Sequence, residues 1–206
     1  MRTLVIDCAT EACSVGLFDG DQLVAGDWRM LGRGHAEHLV PMIAALPEQG
    51  RADRVAVALG PGSFTGVRVG LAAARALALA WQAALVGYST PALVAAMARA
   101  EHPAQPITVA MTGGHGEWFV QSFTAAGTAA NELASLSPAL AAQAAQSLVA
   151  GSQAEALVAA RGTGTPLALW PDARRFTLLD PASLTADVHP LYGRAPDAKL
   201  PVGAQP

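Results

Sequence analysis

Apolar residues run in short unbroken blocks near the start of the chain and in longer alanine-rich stretches beyond them. Leu4-Val5-Ile6 is the core of a buried strand ending at Asp7, Cys13 to Phe18 reads as a second strand, and Asp19-Gly20-Asp21 marks a hairpin before a third, Gln22 to Trp28. Three antiparallel strands therefore open a sheet. From His35 onward the apolar positions Leu39, Val40, Met42, Ile43 and Leu46 follow helical spacing, and Pro41 requires that this helix either start late or carry a distorted first turn. Arg54 to Leu59 has the length and composition of a buried strand, and a glycine loop carries it into a long helix ending near Trp81. Ala84 to Gly87 is another short strand, after which Ser89-Thr90-Pro91 offers a cap and a first-turn proline for a helix from Ala92 to about Arg99.

The polar, proline-bearing stretch Glu101-His102-Pro103-Ala104-Gln105-Pro106 divides the chain into a lobe of residues 1–103 and a lobe of residues 104–206. The second lobe restarts with strands, Ile107 to Met111 and Trp118 to Phe123, around a turn at Gly113-Gly114. Helices are expected at Pro138 to Gln146 and Gln153 to Arg161, and the proline-rich tail from Pro181 is expected to run over the surface. Strands followed by helices, twice over, predict an α/β fold of two related lobes with the second reduced.

Between Val67 and Trp81 the charged positions are Arg68 and Arg75, seven apart and nearly on one face, while the rest of the circumference is Val, Leu, Ala, Gly and Trp. A helix lying on a sheet needs one apolar stripe, and one that is apolar nearly all round has to be covered twice. Gly66, Gly70, Ala73, Ala74 and Ala78 would let a second helix approach closely. The expectation is one face on the chain's own sheet and one on a neighbour, with complete burial by the chain itself as the alternative.

The loop Gly60-Pro61-Gly62-Ser63-Phe64-Thr65-Gly66 stands where unpaired N–H groups at a helix start can hold an anion. Ser63 or Thr65 can satisfy the same donors as caps with no ligand present. No lysine follows the loop, so it is not a P-loop, and the glycine spacing is one residue too long for the dinucleotide fingerprint. With 14% charged residues and a net charge of −3, no basic surface dominates, so any contact with RNA has to be shared with a partner. Cys8 and Cys13 match no zinc or redox spacing, and two thiols without a signal peptide suit a reducing compartment. Arg68 and Arg75 interrupt the longest apolar stretch, so no membrane span is expected, and the expected location is the cytoplasm.

The loop and its continuation, Gly60-Pro61-Gly62-Ser63-Phe64-Thr65-Gly66-Val67-Arg68-Val69-Gly70, resemble the signature of the TsaB (YeaZ) family. The resemblance extends to Ile6-Asp7-Cys8-Ala9-Thr10-Glu11-Ala12-Cys13-Ser14-Val15, to Arg33 with His35-Ala36-Glu37-His38-Leu39-Val40-Pro41, and to Pro190-Leu191-Tyr192-Gly193-Arg194-Ala195-Pro196-Asp197-Ala198. It is weaker between residues 104 and 180.

That resemblance implies an actin-like ATPase (ASKHA) fold, shared with sugar kinases and Hsp70. It also implies a non-catalytic scaffold of the complex that places N6-threonylcarbamoyl adenosine beside the tRNA anticodon. The implied partners are the catalytic subunit TsaD and the ATPase TsaE, with a homodimer in isolation and tRNA reached only through the complex. No cofactor is implied for the chain itself, because ATP and magnesium belong to the partner subunits; a weak nucleotide contact at residues 60–66 is left open. The implied interface uses helices at roughly 36–46 and 65–81, here His35, His38, Leu39, Met42, Arg68, Gly70, Leu71, Ala74, Arg75, Leu77 and Ala78.

Asp7 is followed by Cys8-Ala9-Thr10, without the glycine that brings backbone close to phosphate in hydrolysing relatives. His35 and His38 are three apart rather than the four used for metal by the catalytic relative, so a His35-Glu37-His38 site would be accidental. An older glycoprotease (M22) description of the family finds no His-Glu-x-x-His here and no nucleophile with an identifiable base. The chain also departs from many members in carrying Thr112-Gly113-Gly114-His115-Gly116-Glu117 where they have an Asp-Ala-Arg-like segment. The enzyme alternative is a small-molecule kinase or ATPase using Asp7 for magnesium and the loop for phosphate.

Overall fold

The computed structural model describes residues 1–193, and among these the strands form two five-stranded sheets. The first is ordered β3-β2-β1-β4-β5, with β1 at Arg2–Asp7, β2 at Ala12–Asp19, β3 at Gln22–Met30, β4 at Arg54–Ala58 and β5 at Ala84–Tyr88. The first three strands are antiparallel, whereas β1, β4 and β5 run parallel. β1 and β4 are central and covered on both faces, which is why their sequences are continuous apolar runs rather than alternating ones.

One face of this sheet carries α1 (His35–Ala44) and α2 (Phe64–Trp81). The helix α1 begins at His35 and takes Pro41 into its interior on the exposed side, while its opening turn is tight, with the Glu37 N–H bonded to the Gly34 carbonyl. The other face carries a short 3-10 turn, Ala173–Leu178, whose Phe176 packs on Phe18 and Tyr88.

The second sheet is ordered β10-β9-β6-β7-β8: β6 is Ile107–Thr112, β7 Trp118–Phe123, β8 Ala134–Leu136, β9 Leu148–Ala150 and β10 Thr165–Leu167. Its outer face is covered by α4 (Pro138–Ala144) and α5 (Ala154–Arg161) through Ala110, Val120, Val149, Ala141 and Leu157. Its inner face meets α3 (Thr90–Glu101).

The helix covered on two sides by its own chain is α3, which the sequence did not mark: its Leu93 and Ala96 join the first core while Val94, Ala95 and Ala98 join the second. Its first turn is entered through Ser89, whose side chain makes no capping hydrogen bond; Pro91 contributes instead by sitting in that turn. In contrast, α2 buries one stripe, Gly66, Val67, Gly70, Leu71, Ala74 and Ala78, and leaves an apolar face open, with Leu79 83% and Phe64 71% exposed. It is long and apolar enough to cross a membrane by length and composition, despite its two arginines. Its buried stripe is nevertheless fitted to the first sheet, with Gly70 facing Cys8, Val57 and Ile6.

The tail runs over the surface as expected, with Val188 the buried position between 181 and 193, but from Thr185 it is also strapped to the first sheet: Thr185 exchanges backbone bonds with Gly87, and the Leu191 N–H donates to the Leu59 carbonyl. The part of the closing motif from Arg194 onward lies outside the described residues.

Candidate functional site

A cleft of about 430 Å³ opens where four segments converge. The β1–β2 turn supplies Ala9, Thr10 and Glu11; the glycine loop and first turns of α2 supply Pro61 to Phe64, Val67 and Arg68. The β6–β7 turn adds Thr112 to Gly114, with Phe119, and the strap ends there at Pro190 to Gly193.

The loop's glycines are used for packing. A Cβ on Gly62 would overlap the Ala9 carbonyl oxygen, and one on Gly66 would overlap that of Cys8. The loop therefore sits hard against the β1–β2 turn, its inner side filled by carbonyl oxygens, which repel an anion. Gly60 has φ +90°, a left-handed conformation that favours glycine. Of the donors at the start of α2, the Gly66 N–H is capped by Ser63 Oγ at 3.2 Å, and the Ser63 N–H is bonded to the Ala9 carbonyl at 2.7 Å. The capping alternative read from the sequence thus accounts for the serine.

Asp7 does not reach this cleft. Its carboxylate is fully buried, accepting from the Ala9 N–H at 3.0 Å and from the Tyr88 hydroxyl at 3.1 Å, while the same hydroxyl lies 3.3 Å from the Ile6 carbonyl. Burial pushes its pKa from 3.8 up to about 7, against the opposing pull of the two hydrogen bonds. Tyr88, the residue that closes over Asp7, could not be singled out in the sequence, where it is merely the polar-tipped end of a short apolar strand.

Within the cleft the carboxylate present is Glu11, whose Oε2 is buried without a hydrogen-bond partner among the described residues. Arg68 lies at the rim, its guanidinium 3.3 Å from the Phe64 ring centroid and bonded to the Phe64 carbonyl and, at 3.0 Å, to the Tyr192 hydroxyl. Arg75 donates to the Val188 carbonyl at 2.6 Å. The two cations of α2 are thus clamps on the strap.

The proposed interface residues separate into two groups. His35, Leu39, Met42, Gly70, Leu71, Ala74 and Ala78 are buried within the chain, so they cannot meet a partner in this conformation. The reason is geometric: these positions form the stripe with which each helix grips the sheet. His35 is spent on the β1–β2 turn, where Nε2 lies 2.8 Å from the Thr10 carbonyl; a carbonyl only accepts, so Nε2 carries the hydrogen. That bond uses one ring nitrogen, and no group of three or more metal-ligating side chains occurs among the described residues.

His38, Arg68, Arg75 and Leu77 do reach the surface. Around Leu77 lies a second concavity of about 270 Å³ between α1 and α2, lined by Val40, Ile43, Ala44, Leu77 and Trp81 with Glu48, Gln49 and Arg51 at its edge. Val40, 62% exposed, belongs to this apolar face and was absent from the predicted set, whereas Leu79, 83% exposed, lies on the other flank of α2, on the side of Arg68 and Arg75.

At the second lobe's entrance stands Thr112, the position singled out in the sequence as a departure from the resembled family. Its amide and hydroxyl bond to Ser152 and its hydroxyl accepts from Gln153, so the threonine ties β6 to the start of α5. Gly113 to Glu117 form the expected glycine turn, closed by paired backbone bonds, and Glu117 accepts from the Ser135 hydroxyl.

Comparison with known proteins fits this geometry. Residues 29–159 match the family model described as TsaD: tRNA N6-adenosine threonylcarbamoyltransferase. The chain is 37% identical over 122 residues to the tRNA threonylcarbamoyladenosine biosynthesis protein TsaB of Escherichia coli, a match covering 57% of this chain and 52% of that protein. It spans about half the length of the curated relatives it matches. YeaZ from Pseudomonas aeruginosa superimposes with a TM-score of 0.77 at 26% identity, covering 93% of this chain and 99% of that one. The ethanolamine utilization protein EutJ from Carboxydothermus hydrogenoformans, at TM-score 0.50 and 14% identity over 86% of this chain and 88% of that one, shares the fold alone. Two α-covered mixed sheets with a cleft between them form the α/β actin-like architecture. The chain belongs to the TsaD family of tRNA N6-adenosine threonylcarbamoyltransferase proteins, as a member of its TsaB (YeaZ) branch.

Proposed function

We propose that this chain is a non-catalytic scaffold in the synthesis of tRNA threonylcarbamoyladenosine, acting by docking its α1–α2 face on a TsaD catalytic subunit. The observation that carries the reading is the open apolar face itself. Val40 on α1, 62% exposed, and the concavity between the two helices, lined by Ile43, Leu77 and Trp81, form an apolar surface of the kind that marks a docking site. In isolation the same face pairs two copies of the chain. In the complex it holds TsaD, with TsaE as the ATP-hydrolysing member, so ATP and magnesium act on the partner subunits and tRNA is met through the assembly. The work is done in the cytoplasm.

The buried state of Asp7 supports the non-catalytic part. A carboxylate that is to hold magnesium must offer oxygens to the cleft, and both oxygens of Asp7 are engaged beneath it. The carbonyl-lined inner side of the glycine loop argues in the same direction. A kinase or ATPase is the competing class, and purified chain tested for metal-dependent ATP turnover separates the two: no turnover above background is expected, and rapid hydrolysis by the chain alone would reverse the assignment. Docking is tested by co-purification of tagged chain with TsaD, expected for the native sequence and lost for Val40→Glu, which charges the exposed edge of the concavity.

A further inference from the structure

We infer that Cys8 and Cys13 are a redox-sensitive pair, closing to a disulfide that fastens the β1–β2 turn when the folded chain meets hydrogen peroxide. The ladder of β1 and β2 ends at Asp7 opposite Ser14, which places Cys8 opposite Cys13 as the next rung. Facing residues in an antiparallel ladder have Cα atoms about 4.5 or 5.5 Å apart, and a disulfide accepts roughly 4.4 to 6.8 Å. The two Sγ atoms already lie 3.4 Å apart, share a hydrogen bond, and are free thiols. Neither side chain lines the cleft or the α1–α2 concavity.

The segment they bracket supports three neighbours at once. The Ala9 carbonyl receives the Ser63 N–H of the glycine loop, the Thr10 carbonyl receives His35 of α1, and Ala9 to Glu11 form one wall of the cleft. A bond between residues 8 and 13 would close this short turn covalently and hold those three contacts in register.

The shared hydrogen bond lowers the Cys13 thiol, and with burial it raises that of Cys8, so Cys13 is the attacking sulfur. Its thiolate displaces hydroxide from the peroxide: an S–O bond forms, the O–O bond breaks, and the hydroxide leaves as water with the thiol proton. The Cys8 sulfur then attacks the sulfenic sulfur, the S–S bond forms, the S–O bond breaks, and a second water departs. Two thiols are oxidised and one peroxide is reduced to two waters. Exposure of only 2% for Cys8 and 0% for Cys13 limits the reaction to a small oxidant and makes it slow.

The test uses the isolated folded chain, so it stands apart from the docking reading. Chain exposed to graded hydrogen peroxide is quenched with an alkylating agent under denaturing conditions, and its intact mass and non-reducing thermal melt are recorded. The expected product is a single chain lighter by two hydrogens, with neither thiol alkylated, melting higher by roughly 5 °C and restored by dithiothreitol. Cys8→Ser and Cys13→Ala should not form it; should either fail to fold, the mass of the native sequence still decides. Two alkylatable thiols after peroxide, addition of oxygen without loss of hydrogens, chains cross-linked to one another, or an unchanged melt would overturn the inference.

Discussion

Replacing Asp7 with Asn should remove a pH dependence of stability that the buried carboxyl imposes on the native chain. The pKa of Asp7 rises from 3.8 to about 7 on folding, because burial disfavours the charged form. Between those values the folded state holds a proton that the unfolded state has released, so stability falls as pH climbs from about 4 to about 7 and levels off above. At about 1.4 kcal/mol per pH unit the loss is on the order of 4 to 5 kcal/mol. Asparagine reproduces the neutral arrangement: its oxygen accepts from the Ala9 N–H, its amide donates to the Tyr88 oxygen, and Tyr88 donates to the Ile6 carbonyl. Urea or thermal unfolding of both proteins from roughly pH 4.5 to 8.5 reads the difference directly, and the comparison cancels the other titrating groups. Near the acid end the two should agree; near pH 8 the variant should be the more stable, by up to about 10 °C in melting temperature. Parallel profiles, or a variant weaker at every pH, would show that Asp7 is ionised and stabilising in the fold.

Gly62→Ala should cost more than about 3 kcal/mol or abolish folding, because its Cβ would meet the Ala9 carbonyl in backbone that cannot move aside; soluble yield and a melt check this. Arg75→Ala should cost about 1 kcal/mol while raising hydrogen exchange around Thr185 to Leu191, since it removes the clamp on Val188. Val40→Glu should leave the melting temperature within about 1 °C of native and weaken self-association in sedimentation, whereas Ala74→Glu should fail to fold.

Much of the first sheet was legible because its strands are buried on both faces and read as unbroken apolar runs, and because Asp19-Gly20-Asp21 fixes a hairpin. The strands β8, β9 and β10 were not, since three residues carry no period. Composition marked α2 as needing a second cover, and within the chain it buries one stripe and leaves the rest open, so the alternative of complete burial by the chain itself fails; α3, equally alanine-rich, gave no sign of lying between two cores. The interface set failed at its buried members for a related reason. Leu39 and Met42, chosen from a helical apolar pattern, lie on the stripe that grips the chain's own sheet, whereas exposed Val40 and Leu79 interrupt the polar side. Arg68 and Arg75 stood out as the charges on α2, yet their partners, Tyr192 and Val188, are more than a hundred residues away in sequence. Asp7 could be noticed as the polar end of a strand, but its sealing under Tyr88 depends on β1 and β5, which the sheet sets on either side of β4.

The central claim, that the chain acts by presenting its α1–α2 face to a catalytic partner, is tested most directly by reconstituting threonylcarbamoyladenosine formation on tRNA with TsaD and TsaE. Product is measured without this chain, with the native chain, and with Val40→Glu. Modification should require the native chain and drop at least tenfold with the variant. Full modification in its absence, or with the variant that no longer associates, would contradict the account.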